Sequence, residues 1–187
     1  MKYFILIISL LVGLSTIFDV DFPNNENSKK IKKVLNSVWL GQKIETKSII
    51  IPENVIEINF DLNAVYHNDS LVGYYTVKDA FGCHVGGCSK IDTTVFISQY
   101  EVFVFMVVFS PDFKIMKVDV IDYQSNHGFQ ITSKKWLKQF IGYEGCELEY
   151  GVNVDAITSA TTSAKSLIKN INGIYDKMNI LKAKGII

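Results

Sequence analysis

Two stretches of this chain hold residue types and spacings suited to chemistry. The first is GVNVDAITSATTSAKSL, residues 151–167. It offers Asp155 and Ala156, then Thr158, Ser159, Ala160 and Thr161, then Thr162 and Ser163, and it opens a helix. Side-chain hydroxyls and free backbone N–H groups at a helix N-terminus favour an anion, above all a phosphate. The same residue types are ordinary helix caps, so chemistry alone leaves both roles open. The second stretch is FGCHVGGC, residues 81–88. Three roles compete for it: a disulfide between Cys83 and Cys88, a redox-active dithiol, and a metal site from Cys83, His84 and Cys88. The metal site is the weakest, because its fourth ligand would have to come from distant Cys146, which reads more simply as a free buried thiol. No Cys-x-x-Cys-His occurs, so the sequence gives no support for c-type haem. There is no nucleophile–base pair or substrate loop, so no residue is assigned a catalytic role.

The elements that must position these stretches follow from periodicity. Residues 29–40 place Ile31, Val34, Leu35, Val38 and Trp39 at helical spacing, with Gly41 as the stop. Between 44 and 77 the period shortens to β, broken at Pro52-Glu53-Asn54 and at His67-Asn68-Asp69-Ser70. YEVFVFMVVF, residues 100–109, is the strongest strand and reads as buried on both faces. Ser110-Pro111-Asp112 turns the chain into an antiparallel partner at 115–123. A helix at 133–141, cappable by Thr132 or Ser133, puts Trp136, Leu137 and Phe140 on one face. After residue 161 a last helix carries Leu167, Ile168, Ile171, Ile174, Tyr175 and Met178, and Asn172-Gly173 weakens its middle. This order predicts an α+β domain with an antiparallel sheet.

The order Asp155-Ala156-Ile157-Thr158-Ser159-Ala160-Thr161 resembles the flavin-attachment motif of the FMN-binding domain family. That family includes the covalent-FMN subunits of the sodium-translocating NADH:quinone reductases and of the Rnf-type electron-transport complexes. The resemblance extends to the helix at 133–142 and the loop at 123–131, and covers roughly residues 70–170. It implies FMN held by its phosphate at Asp155, Ala156, Thr158, Ser159, Ala160, Thr161 and Thr162, with Gly128 in the loop beside the ring. It also implies esterification to Thr161 by a flavin transferase. Two positions depart from the pattern. Ser159 stands where the family has glycine, which points to a positive φ or a close phosphate approach there. The loop reads Ser125-Asn126-His127-Gly128-Phe129-Gln130, with only Gly128 kept.

Nineteen basic and nineteen acidic residues balance to zero, with no basic stripe, which argues against nucleic acid as a partner. Lys2 followed by an apolar run from Phe4 to Phe18 matches an export signal, with Gly13 and Ser15 as a cleavage site, or an N-terminal anchor. The run is shorter than the ~20 residues of a spanning helix. The expected layout is a signal or anchor at 1–20, a linker and helix at 21–43 and the FMN-binding domain at 44–180. The expected role is an exported (periplasmic or extracellular) or membrane-anchored electron carrier serving a membrane-associated redox partner. The rivals are a secreted binding module that has lost flavin, and an FMN-dependent reductase using Cys83 and Cys88.

Overall fold

The computed structural model describes residues 26–56, 60–84, 100–145 and 147–187. The apolar run at 4–18, Cys88 and Cys146 lie outside them. The architecture is α+β: one five-stranded antiparallel sheet in simple meander order, β1-β2-β3-β4-β5, with helices on both faces. Helix α1 spans Glu26–Val38 and strand β1 Glu45–Ser48. Strands β2 (Asn63–His67) and β3 (Ser70–His84) form a hairpin. Its two-residue turn, Asn68-Asp69, has φ of 48° and 61°. Asn and Asp tolerate the left-handed region that such a tight hairpin requires. Strands β4 (Tyr100–Phe109) and β5 (Ile115–Tyr123) follow, as the residue pattern predicts.

The alternation within β4 explains the layering. Phe103, Phe105, Val107 and Phe109 face one core, while Met106 and Val108 face another. Because both faces are buried, β4 is apolar throughout its second half. The smaller core lies under α1, where Ile31, Val34, Leu35 and Trp39 pack on Val65, Tyr75, Met106, Val108 and Ile121. A fully buried aliphatic or aromatic side chain contributes about 1.5–3 kcal/mol, so this stripe accounts for the docking of α1. Trp39 reaches the sheet at Gly73. A Cβ there would come within 2.8 Å of the indole and 2.3 Å of Phe109 O, so only glycine fits. Gly41, at φ 74°, then ends the helical segment.

The larger core lies under helix α3, Thr161–Ala183. Its inward stripe runs through Ser163, Ala164, Leu167, Ile168, Ile171, Ile174, Tyr175, Met178 and Leu181. The segment read as one helix at 133–141 is shorter and tighter. A 3-10 turn at Phe129–Thr132 precedes helix α2, Lys134–Leu137, and a second 3-10 turn at Lys138–Phe140 follows it. Ser133 occupies the cap position of α2 but makes no side-chain capping bond. Trp136, Leu137 and Phe140 are buried as expected. Among the described residues, no helix is long and apolar enough to cross a membrane.

Asn172-Gly173 does not interrupt α3. The Asn172 side chain binds the Leu148 backbone at both its N–H (3.0 Å) and its C=O (2.9 Å). Nothing lies within 4 Å of a Cβ built on Gly173. Gly173→Ala is therefore expected to stabilise the fold by about 1 kcal/mol, the helix-propensity difference. Urea unfolding should show a higher midpoint with an unchanged m-value.

Candidate functional site

The residues singled out between 155 and 162 form the approach to α3. Helix α2 and the turn after it clamp the start of this approach by its backbone. Trp136 Nε1 donates to Asp155 O at 2.8 Å, and Asp155 N donates to Gln139 Oε1 at 2.7 Å. The Tyr150 hydroxyl holds the next part: Ile157 N donates to it at 3.1 Å, and it donates to Ile157 O at 3.3 Å. Asp155, Ala156, Thr158 and Ser159 are exposed, and Ala160 is buried.

Ser159 adopts φ 64°. The positive φ expected at this position is present, borne by a residue with a Cβ at a cost of roughly 1–2 kcal/mol. The serine does not block this conformation.

No hydroxyl residue occupies the cap position of the helix. Ala160 is the N-cap residue, at φ −137° and ψ 20°, and makes no side-chain capping bond. The first backbone bond there is Ala164 N to Ala160 O, at 2.8 Å. The N–H groups before it have no partner within the helix, as at any helix start. Thr161 and Thr162 are exposed on this turn. Thr161 Oγ1 lies 3.4 Å from the Tyr150 hydroxyl, and Lys165 Nζ, one turn on, sits 5.6 Å over the Tyr150 ring. The opening of α3 thus presents free N–H groups, with the Thr161 hydroxyl and Lys165 on one face, a set suited to a phosphate.

Behind this turn the structure gathers residues that sequence spacing does not link. Ser163 is buried, and its Oγ lies 3.0 Å from the Tyr123 hydroxyl. That hydroxyl donates to His127 O at 2.5 Å, which closes the loop between β5 and the 3-10 turn. Burial holds the Tyr123 phenol above its usual pKa, opposed by hydrogen bonding to Ser163 and reinforced by the Glu101 carboxylate. It therefore stays protonated at neutral pH and remains a donor. Gly128, at φ 80°, is wedged against the pair: a Cβ there would lie 2.6 Å from both Ser163 Oγ and Tyr123 Oη, and 3.5 Å from Cys83 Sγ. The Gly128 loop and the α3 motif, far apart in sequence, are thus in contact. Two acceptors in this region, Glu101 Oε2 and Gln130 Oε1, are buried without a hydrogen-bond partner.

Cys83 is buried and disulfide-bonded. Its partner cysteine lies outside the described residues. The bond removes this thiol as a metal ligand, and among the described residues no group of three or more His, Cys, Asp or Glu side chains could hold a metal ion. The cavities at α1–β5–α2, at β1 and around Gly145 do not take in residues 155–163. Sequence reasoning missed Tyr123, Tyr150, Trp136 and Lys165. Only Lys165, at i+4 from Thr161 on a predicted helix, carried a usable signal.

No protein-family model matches the chain, and a search of curated proteins finds no match either. The likeness to FMN-binding domains rests on the motif and its setting.

Two substitutions test this geometry. Ser159→Gly should relieve the left-handed strain and raise stability by roughly 1 kcal/mol. Gly128→Ala should lower it by about 2 kcal/mol or more, through overpacking against two hydroxyls and the unfavourable φ. Paired urea titrations give both signs. Equal behaviour of the two variants would contradict the local backbone described above.

Proposed function

We propose that this protein is an exported electron-transfer domain that carries FMN by its phosphate at the opening of α3, with Thr161 as the attachment residue. The observation that carries this reading is an uncapped helix start in a run of hydroxyl residues. Ala160, which cannot cap, takes the N-cap position, and Thr161 and Lys165, one turn apart on α3, both lie against Tyr150 beside the free first-turn N–H groups. A phosphate placed there would meet the positive end of the helix dipole and the Lys165 ammonium.

The remaining residues have supporting roles. Trp136, Gln139 and Tyr150 fix the backbone of residues 155–157, so the Thr161 hydroxyl is presented from a rigid approach. Ser159 supplies the sharp change of direction into α3. Tyr123, Ser163 and Gly128 tie the loop to the helix. When bound, FMN would supply one- and two-electron chemistry, and the protein would supply anchoring and electrostatic tuning. The disulfide at Cys83 suits an oxidising compartment outside the cytoplasm, in keeping with the apolar N-terminal run. A membrane-associated redox partner would exchange electrons with the domain.

The test is the intact mass of the full chain produced beside a flavin transferase. The wild-type protein should gain one FMN residue and keep its colour through acid precipitation. Thr161→Val should lose the added mass, while Thr162→Val keeps it. Label that persists on the Thr161→Val protein would move the attachment point to Thr162. Colourless wild-type protein would favour a binding module without flavin.

A further inference from the structure

α1, β5 and the α2 segment line a groove that takes in none of residues 155–163 and that the flavin reading does not use. It has two lobes, of about 350 Å³ and about 290 Å³, which share Ser37, Lys117, Asp119 and Lys134. Five lysines line it: Lys30 and Lys33 from α1, Lys117 from β5, and Lys134 and Lys138 from the α2 segment. A single acidic residue, Asp119, lines it with them. Folding thus makes a basic site in a chain whose net charge is zero.

Lys117 is fixed at the junction of the lobes. Its Nζ donates to Ser37 Oγ at 2.7 Å and lies 3.9 Å from Asp119 Oδ2. Ser37 in turn donates to Val34 O at 2.6 Å, so its oxygen is oriented to accept from the lysine. Lys30 pairs with Glu26 at 3.2 Å, on the helix surface. Among the described residues, Lys33, Lys134 and Lys138 have no acidic partner. The larger lobe is also lined by an apolar floor of Val38, Met116, Val118 and Leu137, with Ile141 beside it. Ile141 is 51% exposed, an apolar rim beside charge.

We propose that this groove binds an anionic lipid, with the acid group among Lys117, Lys134 and Lys138 and the chain along the apolar floor. Both halves of the groove are needed for this choice. A nucleic acid or a phosphate ion would satisfy the lysines and leave the floor wet, and a neutral apolar ligand would leave the lysines unanswered. The larger lobe falls at the lower end of the volumes that hold small ligands, enough for a headgroup and the first part of a chain. The same chemistry is offered by a free long-chain carboxylate and by an anionic phospholipid in a bilayer.

The test uses the full chain and two probes: decanoate below its micelle threshold, with decanol as the uncharged control, and phosphatidylglycerol vesicles against phosphatidylcholine vesicles. The key variant is Lys117→Gln/Lys134→Gln/Lys138→Gln, which leaves the N-terminal apolar run untouched. A lysine near an anionic surface contributes roughly fivefold in binding, so the triple change should weaken phosphatidylglycerol preference on the order of a hundredfold. Decanoate affinity should fall at least tenfold, while decanol binding stays as it was. Loss confined to decanoate assigns the site to a free acid, and loss confined to vesicles assigns it to the membrane. Lys43→Gln/Lys47→Gln/Lys182→Gln removes the same charge elsewhere and should leave both probes unaffected. Ile141→Ser tests the floor by a change on the exposed rim and should weaken decanoate without altering salt dependence. The proposal is overturned if the groove variant binds both probes like wild type, or if the distant triple variant loses as much.

Discussion

The contact between Ser163 and Tyr123, over a position where only glycine fits, sets the geometry of the rest of the site. It fixes the first turn of α3 to the end of β5 and closes the loop that carries Gly128. Once Ser163 and Ala164 face inward with Leu167, Ile168 and Ile171, helical periodicity leaves Thr161 and Lys165 on the outer side. The rotation of a long helix about its axis is thus decided by one polar contact and an apolar stripe that agree. Neither suffices alone, since the stripe is broad and the hydroxyl pair is a single bond of modest net strength.

The sheet beneath is legible from residue types because its constraints are local and repetitive. β4 is apolar on both faces because a helix covers each face, and a continuous run of Val, Phe and Met announces that burial. β5 pairs antiparallel with β4, although two register shifts leave its buried positions at Ile115, Val118 and Ile121 rather than in strict alternation. The Asn68-Asp69 turn is likewise a local matter of two residues that accept positive φ. The α1 stripe is equally plain, although its partner surface on the second face of the sheet emerges only from the fold.

The site was less legible, because its organising bonds join side chains to distant backbone. Trp136 to Asp155, Gln139 to Asp155 and Tyr150 to Ile157 span turns with no regular period. The α2 segment read as a single helix because its apolar spacing is helical, yet Gly128 at φ 80° starts the segment in a 3-10 turn and the chain tightens again at Lys138–Phe140. Hydroxyl residues at 158–163 read as caps as readily as ligands, and their places around the helix start come only from the fold. Ala160 takes the cap position, Ser163 is spent on Tyr123, and the threonines remain outside. The lysine groove was invisible for another reason. Its charges come from three separate elements and cancel in any sum over the whole chain.

Asn172 lends α3 a second identity. By bonding both backbone groups of Leu148, its amide acts toward that residue as a neighbouring strand would, although it projects from a helix. Tyr175, one turn further, donates to Phe113 O and Tyr143 O and joins the end of the β4–β5 hairpin to the same helix. The irregular stretch between α2 and α3 therefore has no independent melting transition available to it. To peel away it would have to surrender bonds made by the centre of the longest helix, so local opening there is coupled to loss of the main core.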